Sequence, residues 1–202
     1  MQQMYLYRFF VMCILVICLS SLGVVHAEEG RWTAGFNTGL SLLSQEAIEG
    51  TDGAIGPVLN AQVSYGLSSL LSAGFFVEWE NRSFENESGN DIGSLNTISL
   101  MPMVIWHLEP SSSVFPYLST AIGMNVNAFD EDSGVVDIDL DTTFAWRLAG
   151  GVNFPLETIK EGLMLNGEMA WKRNRGGVEV GNSNQNADAS SINFLVGVRY
   201  TF

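Results

Sequence analysis

Strict alternation of side-chain character, kept up along almost the whole chain after residue 27, limits this sequence more than any other feature in it. Successive side chains of a pleated strand point to opposite faces, so residues of one parity share a face. Period-two runs separated by turn-rich stretches lie at about 31–43, 57–66, 71–84, 95–108, 115–128, 136–154, 163–174 and 190–202. No heptad, helical period or low-complexity tract interrupts them. The pattern predicts an all-β chain of eight antiparallel strands.

Sorting each run by parity separates two faces. One is bulky and apolar, with Trp32, Phe36 and Leu40, then Leu59, Val63 and Tyr65, then Phe75, Val77 and Trp79. It continues through Ile98, Val104, Trp106, Ile122, Met124, Phe144, Trp146, Leu148, Phe154, Leu165, Met169 and Trp171, and ends with Phe194, Val196, Val198, Tyr200 and Phe202. Its one charge is Arg173, at the rim of the seventh run. The other face reads as small and polar, with Gly35, Asn37, Gly39, Ser41, Asn60, Ser64, Thr97, Ser99, Ala121, Asn125, Ala149 and Asn153. The charges in mid-strand also fall on it: Glu78, Glu80, Arg82, Arg147, Glu168, Lys172 and Arg199.

A soluble barrel would turn the apolar face inward around a ligand, and a membrane barrel would turn it outward into lipid. Volume decides. Eight strands enclose a space that side chains just fill, or that holds one small ligand. The Trp, Phe, Leu, Ile, Val and Met side chains of the large face cannot all fit there, whereas Gly, Ala, Ser, Asn and a few ion pairs can. The expected fold is therefore an eight-stranded antiparallel transmembrane β-barrel.

Connection lengths agree. The first, third, fifth and seventh connections (44–56, 85–94, 129–135, 175–189) tend to be long, and the others (67–70, 109–114, 155–162) are shorter. Long outer loops and short periplasmic turns are the habit of outer-membrane barrels, which predicts periplasmic N- and C-termini. Trp32, Tyr65, Trp106, Phe154, Tyr200 and Phe202 then form an inner aromatic girdle, and Trp79, Trp146 and Trp171 an outer one. Tyr117 also lies at the inner rim, but its parity turns it inward, and nothing in the sequence accounts for that.

The first residues specify export. Met1 to Arg8 is polar with one positive charge, Phe9 to Leu22 is almost continuously apolar, and Val25-His26-Ala27 precedes Glu28-Glu29. This predicts a signal peptide, residues 1–27, cleaved to leave the barrel domain 28–202. Cys13 and Cys18 both fall in the leader, and neither follows Gly or Ala as a lipoprotein site requires. The mature chain has no thiol, which excludes a disulfide framework, a thiolate metal site and a cysteine nucleophile. Removal of Arg8 leaves eight basic against 22 acidic residues, a net charge of −14. Such a chain is repelled by nucleic acid.

Phe115-Pro116-Tyr117-Leu118…Gly123, the run Phe144-Ala145-Trp146-Arg147-Leu148-Ala149-Gly150-Gly151-Val152 and the closing Phe194-Leu195-Val196-Gly197-Val198-Arg199-Tyr200-Thr201-Phe202 give the mature chain a recognisable character. It resembles the bacterial outer-membrane protein β-barrel domain family, the group of the opacity-type surface proteins and the barrel of outer membrane protein A. The resemblance implies an integral outer-membrane location. It also implies that the barrel-assembly machinery reads the strand ending at Phe202. It implies no single activity.

The inward charges must pair, because an isolated charge in a dry interior is costly. A rigid plug of salt bridges is the expected role, and a lining for ion passage is the alternative. The outer connections carry Glu46, Glu49, Asp52, Glu85, Glu87, Asp91, Asp130, Glu131, Asp132, Glu179 and Asp188 against Arg175. Asp137, Asp139 and Asp141 prolong the inward parity of the sixth run, which suggests a protruding hairpin. An oxygen cluster suits calcium, but EF-hand spacing is missing, so a solvated acidic surface beside lipopolysaccharide is expected instead. His107, the one histidine after the leader, lies at the periplasmic end near Ser111 to Ser113, with nothing to orient a triad. The sequons at Asn81 and Asn86 carry no weight in a bacterial outer membrane.

The sequence thus ranks three roles. First is a structural or surface-interaction barrel whose acidic loops meet lipopolysaccharide, host or neighbouring cells. A narrow porin-like channel for small solutes comes second, and a lipid-modifying enzyme third. No catalytic residue, cofactor or metal is expected, and the partners expected are outer-membrane lipid, lipopolysaccharide and a host or cell-surface ligand.

Overall fold

The computed structural model of the chain describes residues 29–43, 51–86, 91–108, 114–131, 138–140, 142–180 and 183–202. The predicted leader 1–27, Ser111 to Ser113, Glu46, Glu49, Glu87, Asp132, Asp137 and Asp141 lie outside the described residues, and Asp52, Glu85, Asp91, Glu131, Asp139 and Glu179 are described by backbone alone. Strands are β1 (Trp32–Leu43), β2 (Thr51–Gly53), β3 (Gly56–Gly66), β4 (Leu71–Asn86), β5 (Asp91–His107) and β6 (Phe115–Glu131). They continue as β7 (Ile138–Leu140), β8 (Thr143–Pro155), β9 (Leu163–Val180), β10 (Ser183–Asp188) and β11 (Ser191–Thr201).

Eight of these make the wall, in the order β1-β3-β4-β5-β6-β8-β9-β11, each antiparallel to its neighbours. The ring closes where β11 returns to β1, from Thr33 opposite Thr201 to Leu43 opposite Ser191. Closure leaves the wall no open sheet edge, the condition for crossing hydrocarbon with strands. The three short strands prolong hairpins at one end. Thr51–Gly53 pairs with the end of β4, and Ile138–Leu140 and Ser183–Asp188 both pair with the end of β9.

Both described ends of the chain lie at the opposite rim, where the Phe202 amide donates to the Trp32 carbonyl at 2.9 Å. Connections there are tight. Leu67–Leu70 closes β3 onto β4, and residues 156–162 close β8 onto β9 with the Leu156 amide bonded to the Leu163 carbonyl at 2.8 Å. Gly162, at φ +79°, makes that second turn in a conformation side-chain-bearing residues rarely adopt. This rim is called the turn end below, and the other the hairpin end.

Inside and outside follow side-chain parity. Phe144 is 68% exposed and Val196 62%, whereas Glu78, Glu80, Arg82 and Lys172 are all at 0%. In water a continuous band of exposed Trp, Phe, Leu and Val would drive aggregation; facing acyl chains it is satisfied.

Two readings of the sequence need correction. The inner face is not uniformly small and polar: Phe76, Met101, Met103, Ile105 and Tyr117 form a buried cluster with Ala121 and Ala145. The inward Gly151 leaves the volume that the Tyr117 ring of this cluster occupies. The strands also outrun their apolar alternation. β4 and β5 remain paired to Glu85 and Asp91, past a register shift after Phe84, and β9 runs to Val180. Ladder hydrogen bonds need no apolar face, so pairing continues where the hydrophobic signal has stopped.

Candidate functional site

The barrel interior concentrates every buried charge among the described residues. Glu78, Glu80 and Arg82 alternate along β4, so all three enter the lumen on successive inward rungs. Across it stand Arg147 on β8, Glu168 and Lys172 on β9, and Arg199 on β11. Two linked clusters result.

In the first, the Lys172 ammonium lies between two carboxylates, 3.2 Å from Glu78 and 2.9 Å from Glu80. Arg82 holds the other oxygen of Glu80 at 2.8 Å and donates to the Ala189 carbonyl. Asn193 bridges both carboxylates, Ser191 donates to Glu80, and Asn60 to Glu78. Lys172 spends a further proton on Ser99 at 2.9 Å, whose hydroxyl donates to Asn125.

The second cluster centres on Glu168, which binds Arg147 through one oxygen and Arg199 at 3.3 Å through the other. Tyr117 donates to Glu168 at 2.6 Å and accepts from Arg199 at 2.7 Å and Asn166 at 3.1 Å. The Arg199 guanidinium also covers the Tyr117 ring at 4.3 Å. Arg147 joins the clusters, its Nε 3.7 Å from Glu78. Three carboxylates thus share four cations.

Tyr117 is the residue whose role the sequence did not reveal. Its inward ring lies across Gly151, directly opposite on β8, where a Cβ would fall 2.3 Å from the phenol oxygen. Any larger residue at 151 would evict the ring. The signal was an inward aromatic facing an inward glycine, legible only once the register is known.

Other layers fill the remaining lumen. Towards the hairpin end, Asn125, Asn127, Thr143 and Asn174 form an uncharged web, with Thr143 donating to Asn174 at 2.6 Å. Phe84, Leu95 and Ala189 pack above it, with Leu43 and Phe129 against them. Along β1 and β11, Asn37 Oδ1, Ser41 Oγ and Asn193 Oδ1 have no hydrogen-bond partner among the described residues. His107 is at the turn end, bonded through Nε2 to the Ser72 hydroxyl at 2.8 Å. No group of three or more His, Cys, Asp or Glu able to hold a metal ion occurs among the described residues.

The rims carry the aromatics. At the turn end Trp32 meets Tyr65 at 5.1 Å between centroids and Tyr200 stacks on Phe202 at 6.1 Å, with Trp106 and Phe154 exposed on the same rim. Nearer the hairpin end, Trp146 and Trp171 pack edge to face at 4.4 Å, and Trp79 is half-buried on β4. Past the wall, Asp130 accepts from Asn96 at 2.7 Å, and Asp188 is clasped by Arg175 at 2.7 Å. Burial pushes the Asp188 carboxyl up, but bonds from the Ser190 hydroxyl and amide and from Arg175 outweigh it and hold the group below the ordinary aspartate range.

The family model described as outer membrane protein β-barrel domain matches residues 11–202. Among solved structures, the outer membrane protein OprG from Pseudomonas aeruginosa aligns with a TM-score of 0.67 at 12% identity, over 89% of this chain and 99% of that one. Neisserial surface protein A aligns with a TM-score of 0.58 at 17% identity, over 86% of this chain and 100% of that one. Outer membrane protein AlkL, solved in DMPC bilayers, aligns with a TM-score of 0.53 at 18% identity, over 91% and 93%. At these identities the likeness is one of fold. No curated protein matches the sequence.

Proposed function

The chain belongs to the outer membrane protein β-barrel domain family and resides in the outer membrane, and from that premise we propose that it is a closed, non-conducting anchor presenting its long hairpins at the cell surface. One observation carries this reading: Glu78, Glu80, Arg82 and Lys172 are fully buried and bonded to one another across the lumen. An ion crossing that layer would have to part charges whose separation in a low-dielectric interior is strongly unfavourable. An eight-stranded bore leaves no room to pass beside them.

In this reading residues 1–27 are removed on export, both termini face the periplasm, and Phe202 belongs to the strand read by the assembly machinery. The acidic hairpins then meet lipopolysaccharide or a ligand on another cell. No enzymatic step is assigned, since His107 sits at the turn end with Ser72 as its partner. A narrow conduit is the second reading, favoured by the unpartnered polar atoms of Asn37, Ser41 and Asn193, which suit a hydrated seam.

Planar-bilayer recording of the refolded protein separates the two. Silence in concentrated potassium chloride at both polarities is expected; reproducible unitary steps would overturn the anchor in favour of the conduit.

A further inference from the structure

The cations of the hairpin end are few and placed together. From Glu46 to Asp188 the connections and strand extensions there are rich in acid, and their basic residues are Arg173 and Arg175. These lie two apart on β9 and share its outward face. Trp171 is the next outward residue below, and Trp146 on β8 stands directly opposite Arg173. The two indoles pack edge to face. Phe144, the following outward residue of β8, is the most exposed aromatic of the wall.

Height along the axis matters. At about 3.3 Å per residue and a tilt of about 40°, β9 climbs about 25 Å from Leu163 to Arg173, the height of the apolar band of such barrels. A guanidinium facing lipid is strongly unfavourable at mid-bilayer and tolerated at the boundary. Arg173 is therefore at headgroup level on the hairpin side. No carboxylate forms an ion pair with it among the described residues. Arg175 is clasped to Asp188 through Nε and one terminal nitrogen, and its side chain is still 54% exposed.

We propose that Arg173, Arg175, Trp146 and Trp171 form a binding site for the phosphorylated glycolipid headgroup of the outer leaflet. The planar Arg173 guanidinium fork suits phosphate oxygens, Arg175 adds exposed positive charge while its own fork holds Asp188, and the indoles offer amphipathic surface where sugar gives way to acyl chain. The surrounding acid selects the occupant. Its field repels free anions arriving from solution, whereas a lipid anion arrives in the membrane plane, beneath the acidic hairpins. The proposal rests on the orientation given above, which puts the hairpin end in the outer leaflet.

Native mass spectrometry of the mature barrel, refolded in detergent without glycolipid, tests it with bis-phosphorylated lipid A as the probe. The wild type retains one lipid A, and Arg173→Gln weakens retention about ten-fold, the scale of one lost charge-assisted contact. Arg173→Lys, which keeps the charge and loses the fork, falls between them and guards against a folding defect in the first variant. Fully dephosphorylated lipid A and phosphatidylglycerol each bind about ten-fold more weakly than the probe. Equal retention by Arg173→Gln and the wild type, or equal binding of dephosphorylated lipid A, overturns the site. Equal binding of phosphatidylglycerol overturns the choice of glycolipid. Because the assay depends on neither conductance nor orientation, its failure leaves the closed anchor standing, and a conducting barrel would leave this site standing.

Discussion

An ammonium enclosed by two carboxylates holds them together only while it is there. Lys172 is that group for Glu78 and Glu80, and all three are shut away from water. Lys172→Met leaves two adjacent carboxylates with one partner fewer, and removing one member of a buried ionic cluster costs about 3–5 kcal/mol. Urea unfolding in micelles, followed by heat-modifiable migration, should show that loss. Adding Glu78→Gln should recover part of it, because the Glu80–Arg82 and Glu168–Arg147 pairs stay intact. Asp188, beyond the wall, responds to pH instead. Its carboxyl is held low by Ser190 and Arg175 against the opposing effect of burial, so its contribution is complete above the unfolded aspartate value of about 3.9. The contribution fades as pH falls through the lower folded value. Amide exchange in residues 175–188, corrected for intrinsic rate, should therefore rise below about pH 4 while the wall stays protected.

Strands that reach past the apolar band are held by ladder bonds rather than by a core. The β9–β10 hairpin pairs Arg175 with Asp188 out to Val180 with Ser183, beyond the lumen. Replacing residues 177–186 by Asn-Gly should leave heat-modifiable migration and refolding yield unchanged, since a shorter loop is no harder to close. Failure to refold would mean that the extension helps to nucleate the wall. The same division explains what the sequence disclosed. Strand number, parity and closure were legible because an apolar outside and a polar inside impose period two on every wall segment. The extensions to Asn86, Glu131 and Val180 were not, because side chains past the membrane obey no such rule. Within the lumen, parity picked out Glu78 and Lys172 as inward groups but not as partners. Pairing across a barrel depends on stagger, which no single strand encodes. Tyr117 was opaque for the same reason: Gly151, opposite it, lies 34 positions further along the chain.

Taken whole, the barrel has two unlike ends joined by a lumen crossed by ion pairs. Tight turns and both described chain ends gather at one rim, and the long hairpins, with most of the loop acid, belong to the other. Insertion with the hairpins outward carries the long acidic segments across the membrane and leaves the short turns and both termini on the periplasmic side. The inverted arrangement would bury the terminal strand's rim at the surface and leave Arg173 at the wrong leaflet boundary. Orientation is open to direct measurement because no cysteine follows Cys18, so a single thiol introduced into the barrel is unambiguous. Asn184→Cys, in the β9–β10 hairpin, should react with a membrane-impermeant maleimide on intact cells. Ile159→Cys, in the exposed turn between β8 and β9, should react only after the outer membrane is permeabilised. Labelling of position 159 on intact cells, with position 184 protected, would turn the molecule over. The surface-presenting role and the glycolipid site at Arg173 would then both lose their leaflet, while the ion pairs across the lumen, which are indifferent to direction, would stand unchanged.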